Sequence, residues 1–468
     1  MRHTDTNLGR GRKRPFPLRV AALGLLLPLG ACSVDKLLEV DDPDVATPGS
    51  VQDSTASPVV YAGAVGDFAL AYSGTGSTGG GGSNESQILL SGLLTDEFRS
   101  HDTFDTRVEI DQRAIVTAGA NGTTSNGQLD DVERNLHRAR RSAETGVELF
   151  ASSGKATDRR RAELFALAGY TYIFFAENYC SGVAFSSFPV GGGAPIFGTP
   201  QTTQQILTTA IERFDSALAI APAASIEQRL ALVGKARAQL NLNDRAAAAA
   251  TVAAVPTTFS YLVFHSSNTT RQENGVYNYT IDSGRYGVAN LEGGNGLPFI
   301  TEGETDGAIH DPRIPNNNTR PGFDPSIPDP FYSQLKYPSR DSDVPLANGI
   351  EARLIEAEAA LNGGASNTYL TALNTLRASV GLAALADPGT AAGRVNQFFK
   401  EREYWLWLTS HRLGDLRRLI RYYGRTEDGV FPTGAYFRGG NYGDDVNLPI
   451  YVDEGNNPNF TGCINRNA

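Results

Sequence analysis

Apolar residues recur along much of the chain at the spacing of a helix face. Between Arg160 and Tyr179, apolar and aromatic positions follow one another at helical intervals, which places them on one side of an α-helix. The same pattern predicts further helices in the first half of the chain. These are Val59–Tyr72, Glu85–Leu94, Leu129–Phe150, Ile226–Leu240 and Asn243–Ala254.

Helix starts and helix pairing indicate the architecture. Thr202 is followed three residues later by Gln205, the capping-box pattern that opens a helix. The helical segments come in pairs of roughly 34 to 40 residues, which is typical of tetratricopeptide-like repeats. We therefore expect a mainly α fold, with a tetratricopeptide-like helical-repeat scaffold over residues 59–254 and more helices in residues 349–468. The later helices are Gly349–Leu361, Asn367–Val380 and Thr390–Leu408, before an irregular tail from Tyr422.

The helical pattern stops between residues 255 and 348. Proline, glycine, asparagine, aspartate and aromatic residues dominate there, with only short strand-like runs at Tyr261–His265 and Tyr277–Ile281. Long loop-rich segments on a regular scaffold usually carry function. We expect residues 255–348 to form an irregular, ligand-facing region.

The first 31 residues have the pattern of an export signal. Basic residues from Arg10 to Arg19 precede a short apolar stretch, Val20–Gly30, and small residues lead into Cys32. This order is that of a secretory signal peptide, and the stretch is shorter than the roughly 20 residues that span a bilayer. Residues 1–31 are therefore predicted to be removed.

Leu29-Gly30-Ala31-Cys32 resembles the lipobox of bacterial lipoproteins. The resemblance implies cleavage before Cys32 and acylation of that cysteine, with residues 32–58 as a tether and entry segment. Several acyl chains would hold the protein firmly on a membrane, since each buried methylene contributes roughly 0.8 kcal/mol. The alternative is an ordinary signal peptide followed by a chance cysteine.

The charge of the chain argues against a nucleic-acid partner. The formal net charge is −10, and it becomes more negative once the basic N-terminal segment is removed. No basic cluster remains to neutralise phosphates. Beyond Cys32, the sequence contains Cys180 and Cys463, which in an oxidising compartment form either a disulfide or two unpaired thiols.

The segment Glu401–Arg418 and several shorter motifs resemble the SusD-like (RagB/SusD) family of nutrient-binding outer-membrane lipoproteins. In Glu401–Arg418 the positions that match the family are Glu401, Arg402, Leu406, His411, Arg412, Asp415, Leu416, Arg417 and Arg418. The shorter motifs are Leu93–Glu97, Arg161–Tyr179, Asp311–Arg313, Leu354–Ala359, Leu373–Arg377, Leu448–Ile450 and Asn457-Pro458. Their order spans nearly the whole chain.

The resemblance implies a SusD-like α-α superhelix, no enzymatic activity and no cofactor. It implies a surface-exposed protein, lipid-anchored to the outer membrane, that binds a nutrient and delivers it to a SusC-like TonB-dependent transporter. The nutrient would be an oligosaccharide or, in some cases, a peptide. The competing functions are an exported glycan hydrolase and a helical-repeat adaptor without a small ligand.

In the family that the chain resembles, ligand-facing loops follow the Leu93–Glu97 motif and fill the irregular middle region. Flat aromatic rings and polar side chains in those loops suit sugar recognition. The candidate ligand-binding residues here are Phe98, Arg99, His101, Asp102, Phe104, Tyr277, Tyr279, Arg285, Tyr286 and Phe299. Both tryptophans, Trp405 and Trp407, lie instead in the predicted scaffold helix, which keeps a peptide ligand open.

Catalytic and metal-binding patterns are weak. The six histidines stand in no zinc-ligand spacing, and neither CxxC nor GxSxG occurs. His411 and Asp415 would share one helical turn, which fits a structural polar cluster better than an acid/base pair. Neighbouring carboxylates at Asp96-Glu97 and Asp444-Asp445 read as turn or loop residues rather than a glycosidase pair.

Glu358 lies beside the apolar face of the predicted helix Gly349–Leu361. A part-buried carboxylate there requires a cationic partner. The candidate partners are Arg353, Arg377 and Arg402.

Overall fold

The computed structural model describes residues 57–76, 85–118, 122–189, 193–305, 308–318, 320–364 and 366–468. The predicted signal peptide, Cys32 and nearly all of the tether lie outside these residues.

Helices dominate the described residues, as the apolar pattern predicts. In chain order they are α1 Ser57–Ser73, α2 Gln87–Leu94, α3 Asp105–Asp111, α4 Gly127–Ser152, α5 Arg159–Asn178, α6 Thr203–Leu218, α7 Ile226–Asn241, α8 Arg245–Val252, α9 Gly275–Tyr277, α10 Phe299–Gly303, α11 Gly349–Asn362, α12 Ser366–Ala378, α13 Ala391–Leu406 and α14 Arg412–Tyr423. Thr202 caps α6 with the predicted capping box, its side chain accepting from the Gln205 backbone N–H. None of the helices in the described ranges is both long and apolar enough to cross a bilayer.

In the part of the chain that the structure describes, the strands are short and form two-stranded sheets. They are β1 Phe98–Ser100, β2 Thr117–Ala118, β3 Thr123–Thr124, β4 Val183–Ala184, β5 Pro200–Gln201, β6 Ser260–Val263, β7 Tyr286–Val288, β8 Glu304–Thr305, β9 Ala308–Ile309, β10 Asn316–Asn317, β11 Ser333–Gln334 and β12 Val344–Asn348. The pairs are β1–β7, β2–β3, β4–β5, β6–β12, β8–β9 and β10–β11, all antiparallel.

The helices stack in sequence, which confirms the predicted mainly α repeat scaffold. Helices α4 to α8 each pack on the next, and α11 continues the stack against α8 and α7. Small residues allow the close approach: a Cβ on Gly169 would lie 2.7 Å, and one on Gly234 2.3 Å, from the Phe214 ring. Phe214 thereby fills the space between α5, α6 and α7.

One local prediction is wrong. Residues Tyr277–Ile281, predicted as a strand, belong to α9 and to the π-helical turn Asn278–Asp282 that follows it. The helix predicted over Thr390–Leu408 is found with nearly those bounds, as Ala391–Leu406. Leu408 and Ser410 have φ of 54° and 58°, left-handed values that interrupt a helix, and α14 starts anew at Arg412.

Buried ion pairs join the motifs that carry the family resemblance. Arg412 donates to both carboxylate oxygens of Asp96, at 2.6 and 2.7 Å, across 316 residues of sequence. Glu401 accepts from Arg313 and Arg377, each at 2.6 Å. The motifs of the resemblance therefore act as contacts within the scaffold.

The partner of Glu358 is Arg418, which was not among the three predicted arginines. Arg418 bridges Glu358 and Asp415, and Arg402 also donates to Asp415 at 2.7 Å. Arg418 comes from α14, so the pairing depends on how α14 lies against α11 and could not be read from helical spacing alone. Each of these side chains is buried.

The C-terminal tail is fixed to the core. Cys463 forms a disulfide with Cys180, across 283 residues, which decides between the two predicted states of these cysteines. Nearby, Leu448 donates its N–H to the Asn178 carbonyl at 2.7 Å and accepts from the Cys180 N–H at 2.9 Å. The irregular tail thus closes over the end of α5.

Candidate functional site

The pairing of β1 with β7 brings together two of the segments predicted to bind ligand. Phe98, Arg99 and Ser100 lie opposite Val288, Gly287 and Tyr286, respectively. Residues 98–104 and 277–288, nearly two hundred positions apart in sequence, therefore meet at one surface.

Arg285 lies between two exposed phenylalanines at this surface. Its guanidinium carbon is 3.7 Å from the ring centroid of Phe323 and 5.3 Å from that of Phe104. Phe104 is 51% exposed and Phe323 is 40% exposed. The buried Asp102 accepts from Arg285 Nη1 at 2.8 and 2.7 Å and from Arg107 at 2.8 Å. The carboxylate therefore anchors the guanidinium at Nη1.

A second arginine–phenylalanine stack lies beside the first. The Arg99 guanidinium carbon is 3.7 Å from the Phe437 ring centroid, and its Nη2 donates to Asp329 at 2.7 Å. Arg438 donates to Asp324 at 3.1 Å and to the Asp102 carbonyl oxygen. We call this surface the aromatic–arginine face; it consists of Arg99, Phe104, Arg285, Phe323, Phe437 and Arg438.

His101 supports the face from beneath. Its ring packs edge-on against Phe331 at 5.0 Å and lies 6.3 Å from Phe437. Burial, together with the positive charge of Arg99, lowers the pKa of His101 to about 4. The imidazole is therefore neutral at physiological pH and serves as a packing element.

Several predicted ligand residues are interior residues. A side chain without exposed surface cannot touch a dissolved ligand, so the expectation of direct contact is corrected for this set. It comprises Phe98, His101, Asp102, Tyr279, Tyr286 and Phe299.

Their contacts explain the burial. Tyr286 donates to Glu85 at 2.8 Å and packs edge-on against both Phe98 and Tyr279. Phe299 stacks on Trp407 at 5.9 Å and therefore belongs to the core around α13. The other four predicted residues, which keep exposed surface, are Arg99, Phe104, Tyr277 and Arg285.

The sequence did not single out Phe323, Phe437 or Arg438. All three lie in irregular segments rich in glycine, proline and asparagine, where no periodicity indicates which side chains share a surface. For Phe323, a neighbouring glycine in a loop is the only local signal in the sequence.

The side chains considered for catalysis make structural contacts instead. His411 Nε2 lies 3.1 Å from Glu351, while Asp415 is bound by Arg402 and Arg418. The charges of those arginines lower the pKa of Asp415 well below its usual range, although burial opposes this. Burial depresses the pKa of His411. No acid/base pair forms between these two side chains.

In each of the other two carboxylate pairs, one carboxylate is held by structural contacts. Asp96 is held by Arg412 and by the Leu297 N–H at 2.7 Å. Asp445 accepts from the Ile115 N–H at 2.7 Å and from Arg466. Over the described ranges, no cluster of three histidine, cysteine or acidic side chains has the arrangement of a metal site.

A separate groove lies between α1 and β6, with a volume of about 810 Å³. Glu163 in its wall accepts hydrogen bonds from Tyr61 at 2.8 Å and from Tyr261 at 2.6 Å. We call it the α1–β6 groove; it shares no residue with the aromatic–arginine face. Its lining includes Tyr61, Gly63, Gly66, Phe68, Arg159, Glu163, Ile226, Glu227 and residues 260–265.

Neither a protein-family model nor a curated relative matches the sequence. Solved structures do match the fold. A SusD superfamily protein from Parabacteroides distasonis aligns over 87% of this chain and 98% of its own, at 13% identity and a TM-score of 0.63. A SusD superfamily protein from Bacteroides fragilis aligns over 87% and 100%, at 14% identity and a TM-score of 0.62.

A SusD-like carbohydrate-binding protein from Bacteroides fragilis also aligns, over 88% of this chain and 99% of its own, at 16% identity and a TM-score of 0.57. At such identities, the likeness establishes architecture. The chain has the fold of the SusD superfamily, which confirms the SusD-like α-α superhelix expected from the sequence motifs.

Proposed function

We propose that this protein captures an oligosaccharide on the aromatic–arginine face and delivers it to a membrane transporter. The observation that carries the proposal is the Phe104–Arg285–Phe323 arrangement: two exposed rings flank one fixed guanidinium. The fold, shared with a SusD-like carbohydrate-binding protein, supports the same function.

The chemistry of the face suits a sugar chain. The apolar C–H sides of pyranose rings pack on flat aromatic side chains, as Phe104 and Phe323 offer. The hydroxyl groups of the sugar need donors and acceptors, which the outer N–H groups of Arg285 and the exposed carboxylate of Asp329 beside the face supply. Because Asp102 fixes Arg285 before ligand arrives, little side-chain freedom is lost on binding.

The role is one of binding, with no chemical step. Asp96 and Asp415 are buried in ion pairs of the scaffold, and His411 lies against the buried Glu351. Arginine and phenylalanine side chains supply neither a nucleophile nor a general base at neutral pH. The bound sugar would therefore leave unchanged.

Anchoring and partnership complete the proposal. The signal-peptide pattern and Cys32 support a lipoprotein of the outer membrane, exposed at the cell surface. A SusC-like TonB-dependent transporter is the partner that would take the nutrient onward, with this protein closing over its channel. Substitution of Cys32 by alanine should release the protein from the membrane without altering sugar binding.

Two measurements test the proposal. In native gels that contain different polysaccharides, the purified protein should be retarded by at least one of them. From outer membranes solubilised in mild detergent, a TonB-dependent barrel should co-purify with the tagged protein. A protein that no polysaccharide retards and that purifies without a barrel would refute the proposed function.

A further inference from the structure

Among the described residues, strand β6 has one edge without a neighbouring strand. Within that part of the chain it pairs with β12 alone, and Leu262 lies opposite Pro345 in this ladder. Pro345 has no N–H, and its carbonyl accepts from the Tyr72 hydroxyl at 2.8 Å. Leu262 therefore occupies a pair without mutual hydrogen bonds, and its own N–H and C=O point away from β12.

The residues around Leu262 give the same register. The Phe259 carbonyl accepts from the Gly349 N–H at 2.8 Å, and the His265 N–H donates to Asp343 at 2.9 Å, both on the β12 side. Since backbone groups alternate along a strand, Ser260, Leu262 and Phe264 face the other edge. Within the described chain, the backbone groups of these three residues have no hydrogen bond along that edge.

This edge opens into the α1–β6 groove. Six consecutive residues, 260–265, line the groove, so the edge of the strand faces it along its whole length. On the opposite wall, a Cβ added to Gly63 or Gly66 of α1 would meet nothing within 4 Å. The volume of about 810 Å³ falls within the roughly 300–1,000 Å³ of known ligand sites.

The rim of the groove carries exposed apolar side chains beside the exposed Arg159 and Arg271, and one anionic oxygen in the wall has no hydrogen-bond partner among the described residues. Phe264 is 75% exposed and Ile226 is 51% exposed. Glu227 is only 3% exposed; its Oε1 lies 3.1 Å from Arg159 Nε, while its Oε2 is buried without a hydrogen-bond partner. Such an oxygen is best satisfied by a charged donor.

We propose that the α1–β6 groove binds a free oligopeptide in extended conformation, which adds a third strand to β6. The backbone of the peptide would bond to Ser260, Leu262 and Phe264, whose outward groups repeat every roughly 6.8 Å, twice the rise per residue of an antiparallel strand. Its apolar side chains would pack on Phe264 and Ile226, and a basic side chain would reach Glu227. The proposal does not depend on sugar binding at the aromatic–arginine face.

Fluorescence anisotropy with a labelled Val-Lys-Val-Lys-Val peptide tests this, using the full chain purified from membranes in detergent. We expect saturable binding. The Leu262→Pro variant removes the outward N–H, and proline is tolerated where an edge N–H faces solvent. It should bind about tenfold more weakly or worse, since loss of one buried hydrogen bond costs roughly that factor. Leu262→Ala, which keeps the N–H, should bind nearly as wild type does.

A second pair of variants blocks the groove from the helix side. Gly66→Leu places a side chain in the open space and should abolish peptide binding, whereas Gly66→Ala should leave it nearly unchanged. Glu227→Gln should reduce the preference for the lysine peptide over a Val-Thr-Val-Thr-Val analogue. If Leu262→Pro does not fold, two methylated peptides are tested on the wild-type protein. One carries N-methyl groups on the backbone nitrogens of its valines and the other on those of its lysines. The two should differ in affinity, because alternate backbone N–H groups face the strand.

The inference is overturned by any of three results: no saturable binding, peptide binding that survives both Leu262→Pro and Gly66→Leu, or equal binding of the two methylated peptides. It is also overturned if Gly66→Leu leaves peptide binding intact but loses the co-purifying barrel, because the groove would then hold the transporter. Polysaccharide retardation measured on Gly66→Leu distinguishes this failure from that of the proposed function, since groove variants should leave sugar binding intact.

Discussion

Arg285 donates to both carboxylate oxygens of Asp102, at 2.8 and 2.7 Å, across 183 residues of sequence. Asp102 is buried and follows β1, while Arg285 immediately precedes β7. The bond thus joins the loop after the Leu93–Glu97 motif to the irregular middle region. It fixes a cation between two exposed rings before any ligand is present.

The exposed rings should carry most of the apolar contact with sugar. Phe104→Ala and Phe323→Ala should each weaken oligosaccharide binding about tenfold, because truncation of an aromatic contact at a binding surface typically costs ~1–2 kcal/mol. The ligand is an oligosaccharide from the polysaccharide that retards the protein. Titration calorimetry measures the change in its dissociation constant. Phe188 is 59% exposed outside the face, so Phe188→Ala is the matched control and should bind as wild type does. Equal losses in all three variants would contradict the assignment.

Two glutamates on α11 offer a comparison of buried and surface ion pairs. Glu358 is buried and accepts from Arg418 and from Tyr423 at 2.7 Å, whereas Glu356 is part-exposed and lies 3.2 Å from Arg353. Glu358→Ala should cost ~3–5 kcal/mol of unfolding free energy because it leaves a buried cation uncompensated. Glu356→Ala should cost less than ~1 kcal/mol. Chemical denaturation measures both, and similar costs would show that the network adds little.

A buried carboxyl pair should make stability depend on pH. Asp96, Glu97 and Glu403 share the interior with the cations Arg412 and Lys336, so one negative charge is in excess. Burial raises the pKa of Glu97 to about 7, and burial together with the Glu97 charge raises the pKa of Glu403 well above its usual range. The folded state therefore holds a proton that the unfolded chain releases near the ordinary glutamate pKa.

The sign follows from proton binding. As pH rises from about 4.5, the ordinary pKa of a glutamate, towards the raised pKa values, the folded state keeps protons that the unfolded state loses, so stability falls. Glu403→Gln retains a hydrogen-bond donor for Glu97 but removes one titratable carboxyl group. It should flatten the decline between pH 5 and pH 8 and be more stable than wild type at pH 8. Urea unfolding across this range measures the slope; the exposed Glu212→Gln should keep the wild-type slope.

The Cys180–Cys463 disulfide should contribute substantially to stability. It closes 283 residues of chain and fixes the tail that packs Leu448 and Ile450 into the core. Replacing both cysteines by alanine should cost ~2–5 kcal/mol, as removal of long-loop disulfides typically does. The contribution is measured as a difference in unfolding free energy between the oxidised wild type, the reduced wild type and the double variant. A double variant as stable as the oxidised protein would contradict it.

The sequence predicts the helices well because each buries one apolar face, and that face repeats with the helix period. Residues Leu129–Phe150 and Arg160–Tyr179 were placed within a few residues of α4 and α5. The helix predicted to end at Leu408 ends at Leu406, and the non-glycine residues Leu408 and Ser410 adopt left-handed φ just beyond it. Tertiary contacts such as the Leu408 N–H with Glu97 at 2.6 Å hold that conformation.

Fewer residues of the candidate site than of the helices could be predicted from the sequence. The segments that meet at β1 and β7 were named, but which of their side chains point outward depends on strand register. Arg285 and its neighbour Tyr286 in sequence illustrate this, since Arg285 is part-exposed and Tyr286 is buried. Phe323 and Phe437 come from stretches without periodicity, so only the fold brings them beside Arg285 and Arg99.

The most direct test of the account is a crystal structure of the protein with its tightest-binding oligosaccharide. We expect sugar rings packed on Phe104 and Phe323, with hydroxyl oxygens within hydrogen-bond distance of Arg285. Sugar bound elsewhere, with both phenylalanine rings bare, would contradict the assignment of the aromatic–arginine face as the ligand site.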